Sequence, residues 1–186
     1  MLALAPNAHK HPALLKAGLD RSELTLAGVH LLQRFIALFP EDALAAEAAL
    51  NLVSAFLEID EFETSSRLST EFAAKFNEPS FADAFHYTDA VSRWYLGKGD
   101  QAMSILEGIA NASYALPNGG SKPSENRDLA LYILAQIHHA RQDFDSAKEY
   151  YAKVDKVFAD AREVLDGFQA KSIALDEVTS TAPGKS

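Results

Sequence analysis

The residues of this chain that could do chemistry are few, and their spacing is wrong for it. His138 and His139 are adjacent, and neighbours on a helix point about 100° apart, so the two cannot ligate one metal without distortion. His9 and His11 flank Lys10 with no third ligand close by, and no HExxH or comparable pair of histidines lies one helical turn apart. Gly119-Gly120-Ser121-Lys122 has the composition of a phosphate loop. Pro123 follows it, however, and both the preceding strand and the required spacing are missing, so it reads as a flexible connector. Asp89 and Arg93 have the separation of a helix-face ion pair rather than an acid–base couple. Glu58, Asp60, Glu61 and Glu63 crowd a turn, where Asp60 is expected to cap the following helix; calcium would need a glycine-containing loop with alternating oxygens. Asn111-Ala112-Ser113 matches a glycosylation acceptor but falls at a helix end. There is no G-x-S-x-G. The reading is therefore of a protein that is not an enzyme, with no catalytic residue, no metal ligand and no cofactor.

Composition narrows the partners. The 186 residues suit one domain or slightly more, and the 48% hydrophobic share supplies a core. Seventeen Lys and Arg against 26 Asp and Glu leave a formal charge of −9, so nucleic acid and anionic membranes are disfavoured by repulsion. Cysteine is absent, which removes disulfides, thiolate metal sites and a cysteine nucleophile, and leaves the compartment open. The start, MLALAPNAHKHPALL, lacks a charged region followed by a long apolar run and does not read as a signal peptide. No run approaches the roughly 18 apolar residues of a membrane span, since 29–39 contains Gln33 and Arg34.

The elements are helices. Residues 130–154 read as two amphipathic helices joined by a tight turn, with Leu131, Leu134, Ala135 and His138 on one face and Phe144, Ala147, Tyr151 and Val154 on the next, Asp143 capping the second. Neither stripe can be buried alone, so copies are expected. A helix from Ser22 carries Leu24, Gly28, Val29, Leu32, Phe35 and Ile36 and ends at Phe39-Pro40, with 14–19 as its shorter partner. A second hairpin spans 43–58 and 60–76. A third runs over 80–96 and, past Gly97-Lys98-Gly99, to Ile109. Residues 114–124, YALPNGGSKPS, are rich in turn formers and are expected to be an exposed, mobile loop. A leader occupies 1–11, a last helix covers 160–171, and 173–186 read as a linker or tail.

Gly28, Ser65, Ala102 and Ala147 align as the small residue of each second helix, at intervals of 37, 37 and 45 residues. With Phe35, Phe72, Ile109 and Val154 seven positions on, and Leu134-Ala135, Phe144 and Tyr151 in the last unit, the pattern resembles the tetratricopeptide repeat over about 13–158. Asp89 and His86 stand where that family has apolar residues, and Ser65 and Ser69 replace its usual Ala and aromatic. The resemblance implies an all-α fold: an α-solenoid of about four stacked antiparallel hairpins over 12–172.

In that family the first helix of each pair lines a concave groove. Carried over one residue at a time, the partner-binding positions are Leu50 and Ser54, together with Glu47 and Leu57; then Tyr87, Val91 and Trp94, together with Tyr95; then Tyr132, Gln136 and His139. Lys, Arg and Asn, which clamp acidic tails in some members, are missing there. The resemblance implies a noncatalytic scaffold that binds a peptide or helix of a protein partner in an aromatic-lined groove, without membrane insertion. The alternative is a structural spacer of a larger protein, its groove filled intramolecularly or by flanking domains of the same chain. The Phe-Pro ending looks like that of bacterial members, including envelope assembly factors, and leaves cytoplasm and cell envelope open.

Overall fold

A computed structural model describes residues 21–154 of the chain. The leader, the 14–19 helix, the 160–171 helix and the tail lie outside them. The described part holds seven helices and one ribbon: α1 (Arg21–Leu38), α2 (Ala45–Glu58), α3 (Phe62–Lys75), α4 (Pro79–Tyr95), α5 (Gly99–Asn111), β1 (Ser113–Ala115), β2 (Ser121–Pro123), α6 (Arg127–Ala140) and α7 (Phe144–Lys153). The described residues are thus mostly helical, as an all-α fold requires, with one short two-stranded exception. No described helix is long and apolar enough to cross a membrane. The chain divides into two compact units between Arg127 and Asp128.

In the first unit each helix packs on the next, from α1 through α5, and α2 also lies against α4. α2 explains how. Its Ala45, Ala46, Ala48, Ala49, Leu52, Val53, Ala55 and Phe56 are all buried, a stripe too wide for one neighbour, and its alanines let several helices approach closely. The core joins Val29 and Leu32 of α1, Leu52, Val53 and Phe56 of α2, Phe72 of α3 and Phe85 of α4. Phe85 is fully buried, with the Phe72 and Phe76 rings 5.8 and 6.2 Å away. Burying such a side chain contributes about 1.5–3 kcal/mol.

The turns inside the hairpins repeat. Asp60, Gly97 and Gln142 all have positive φ (63°, 74° and 64°), and each stands two residues before the next helix. In each turn the following residue donates its N–H back five positions: Glu61 to the Phe56 carbonyl, Lys98 to Arg93 and Asp143 to His138, at 2.9–3.0 Å. The positive-φ residue itself donates back three positions, to Leu57, Trp94 and His139. This pair of bonds satisfies carbonyls that the helix end would leave bare. One helical turn on, the amides of Ser65, Ala102 and Ala147 donate to the carbonyls of Glu61, Lys98 and Asp143, and all three side chains are fully buried. Gly28 is buried as well.

Two expectations are corrected. Asp60 does not cap α3: it is the left-handed residue closing α2, Glu61 takes the N-cap position, and no side chain caps that end. Residues 114–124 are not an unstructured loop. β1 and β2 pair antiparallel with Tyr114 opposite Lys122, and the tip closes through Leu116 N–H to the Gly120 carbonyl at 2.7 Å and a left-handed Gly119.

The second unit is described here by α6 and α7. Ala135 packs on Ala147 and Tyr151, with Tyr132, Tyr150 and Val154 around them. Asp143 caps α7 as expected, accepting from the Ser146 amide.

Candidate functional site

The positions assigned to partner binding fall on α2, α4 and α6. On α2, Leu50 and Ser54 are half-buried, and Leu50 packs partly against the core. On α4, Tyr87 and Trp94 are half-buried, whereas Val91 is 7% exposed and belongs to the core rather than to a surface. The reason is that α4 is covered by α3, α5 and α2 together, so the residue midway along its strip is enclosed. Packing of α2 on α4 brings the helix of Leu50 and Ser54 beside the helix of Tyr87 and Trp94. In the second unit Tyr132 is half-buried, its ring 5.9 Å from Tyr151 in an edge contact; Gln136 is half-buried; His139 is exposed, its ring edge-on to Phe144 at 5.7 Å.

Trp94 ends a row of stacked rings. Tyr95 stacks on it at 5.7 Å and on Phe62 of α3 at 4.8 Å, the latter pair only 10° from parallel, while Tyr95 remains 60% exposed. A large aromatic held flat by its neighbours and still open to solvent has lost its rotamer freedom in advance, which favours binding.

The strongest polar feature lies on another side of α4. Asp89 is almost fully buried; its Oδ1 accepts from Arg93 Nε at 2.9 Å and from the Ser66 hydroxyl, and its Oδ2 faces the Thr70 hydroxyl at 3.5 Å. Arg93 Nη1 continues to Gln101 Oε1 on α5 at 2.7 Å. The ion pair expected from the spacing is present, and it ties three helices. A cleft of about 320 Å³ opens beside it, between Glu63 and Arg67 on one flank and Leu96 and Lys98 on the other. Asp89 Oδ1 takes two donors, one from its own helix and one from α3, which is the bonding of a tie between helices. Arg67 and Glu71, 3.6 Å apart and mostly exposed, form a pair of the kind worth about 0–1 kcal/mol.

Beneath the tie runs a second set of hydroxyls. Ser65 donates to the Val53 carbonyl at 3.0 Å, and Ser92 lies within hydrogen-bonding distance of Ser65 Oγ (3.0 Å) and of the Thr88 carbonyl (2.8 Å). Ser69 Oγ, fully buried, has no partner among the described residues.

Tyr114 donates its phenol to Asp83 Oδ2 of α4 at 2.6 Å. Burial first, then the hydrogen bond to and charge of Asp83, push its ionisation up to about 12. Tyr151 is likewise pushed up to about 12 by burial and secondarily by Tyr132. At the α6–α7 turn His138 Nδ1 lies 2.9 Å from Asp143 Oδ2 and its ring stacks on Tyr150 at 5.3 Å. The bonds from Ser146, then the His138 ring, hold the Asp143 carboxyl below the usual carboxylate range. Among the described residues, no three of His, Asp and Glu come together as metal ligands would. The Tyr114–Asp83 and Ser66–Asp89 contacts escaped sequence reasoning, because their partners are 31 and 23 residues apart and share no spacing rule.

Comparison of the chain with protein-family models, with curated proteins and with solved structures finds no match.

Proposed function

We propose that this protein is a noncatalytic interaction module built from tetratricopeptide-like hairpins, which takes a peptide or helix of a protein partner on the face carrying Tyr87 and Trp94. The observation that carries the reading is the threefold recurrence of one hairpin turn at Asp60, Gly97 and Gln142, with the buried small residue at the same offset each time. Chains built this way stack their hairpins as a solenoid and offer an extended face rather than a pocket. The contact of α2 with α4, first helices of successive hairpins, is what such stacking requires. Trp94 and Tyr95, stacked and partly open, supply the rigid aromatic area from which interface hot spots are made.

The test is Trp94→Ala, compared with the unaltered protein in affinity capture from cells that make it, with circular dichroism as the control for folding. An anchor loses its partner by about 2 kcal/mol or more while the helices stay intact. A core tryptophan would instead cost about 3–5 kcal/mol of stability. A folded Trp94→Ala protein that captures the same partner equally well sinks the proposal.

A further inference from the structure

The ribbon between α5 and α6 is positioned by α4. Along β1, Ser113 and Ala115 are exposed and Tyr114 is half-buried, the alternation a strand imposes when one face meets protein. The face that meets protein carries the phenol that donates to Asp83. Asp83 is 7% exposed, a burial that a carboxylate tolerates only when hydrogen-bonded. On the other strand Lys122, opposite Tyr114 in the register, pairs with Glu125 at 2.6 Å. The base of the ribbon is fixed separately. The Ser124 amide donates to the Ala112 carbonyl at 3.1 Å, and Ser124 Oγ accepts from the Asn126 amide. The ribbon is therefore tied at its base, between Ala112 and Ser124, and fastened again part-way along, with residues 117–123 exposed beyond it.

Asp83 and Tyr87 are four residues apart on α4 and so lie on one side of that helix, one turn from each other. Whatever holds the ribbon on Asp83 holds it at the Tyr87 end of the α4 strip. We propose that the ribbon is a strap latched to α4 by Tyr114 on Asp83, and that release of the latch uncovers the Tyr87 end of the strip. The latch stands on the geometry of the first unit; the meaning of the uncovered surface rests on reading α4 as a binding face. A hydrogen bond to a charged acceptor shifts such an equilibrium about 10- to 100-fold, enough to keep the strap closed most of the time and still let it open.

The test uses the whole chain carrying Tyr114→Phe, which keeps the ring and removes the hydroxyl. Hydrogen exchange followed by mass spectrometry should show residues 113–123 exchanging about tenfold faster or more than in the unaltered protein, while the centre of α4 around Phe85 and Ala90 keeps its rate. Hydroxyl-radical footprinting of the same variant should show Tyr87 oxidised several-fold faster. A ribbon that exchanges at its original rate overturns the latch, and so does a loss of protection shared equally by α4. A faster ribbon with unchanged oxidation of Tyr87 overturns the gate. Neither readout involves a partner, so the outcome is separate from that of the Trp94 experiment.

Discussion

The hydroxyls of Ser65 and Ser92 meet at 3.0 Å in an interface that neither residue shares with solvent. Serine stands at position 65 where the other hairpins have Ala102 and Ala147, and the extra oxygen is absorbed by a bond to the Val53 carbonyl. The same crossing thus accepts either residue, provided that the side chain is small. Ser65→Ala should cost about 0.5–1.5 kcal/mol, the net worth of one hydrogen bond. Ser65→Leu and Ala147→Leu should each overpack their crossing and cost about 1–3 kcal/mol or more. Urea denaturation measures both. A leucine tolerated at either position without loss means that the helices do not cross there.

Ser69 is the opposite case, a buried hydroxyl with nothing to bond among the described residues. An unmade hydrogen bond of this kind costs about 1–3 kcal/mol. Ser69→Ala should therefore leave the thermal midpoint unchanged or raise it, unlike Ser65→Ala one turn earlier. A clear drop in midpoint would show that the hydroxyl is satisfied after all.

The Asp89–Arg93 pair should be the costliest polar feature to break. Removing one partner of a buried pair costs about 3–5 kcal/mol when the charge left behind is itself buried. Arg93→Ala leaves such a charge, the buried Asp89 carboxylate, whereas Asp89→Ala leaves the more exposed Arg93 guanidinium, still bonded to Gln101, and should cost less. The double variant should cost less than the sum of the singles, a coupling that a double-mutant cycle reads directly. Additive losses would mean that the two side chains do not act as a unit.

Alkaline pH should loosen the protein through its buried phenols. Tyr151 and Tyr114 ionise near 10 when exposed and near 12 in the fold. Above pH 10 the unfolded chain gives up these protons before the folded one does, so stability falls as pH rises. The contribution is fully present below pH 10 and is progressively lost toward 12. Tyr151→Phe and Tyr114→Phe should each flatten part of that decline, measured by denaturation at a series of pH values. A decline identical in both variants would assign it elsewhere.

The helices were legible because burial leaves a period: α2, α4 and α6 carry apolar residues at helical spacing, and Asp143 and Asp89 act over three or four residues, within reach of local rules. Val91 was misplaced because α4 meets three helices and spacing alone cannot say which of its faces are covered. The ribbon was illegible for a different reason. Strands of three residues show no alternation long enough to read, and their anchor, Asp83, is 31 residues away. Asp60 misled because aspartate suits both a helix N-cap and a left-handed position, and only the carbonyls of the preceding helix decide between them.

The turns at Asp60, Gly97 and Gln142 have a consequence for how this chain can change over time. Their shape is held by backbone donors and carbonyls, which every residue but proline possesses, so three different side chains wear one conformation. Selection acting on the hairpin is then nearly blind to the letters at its bend, apart from a cost of roughly 1–2 kcal/mol wherever glycine is not used. Hairpins that share such a bend can differ in residues while keeping the same pair of backbone hydrogen bonds, as these three do.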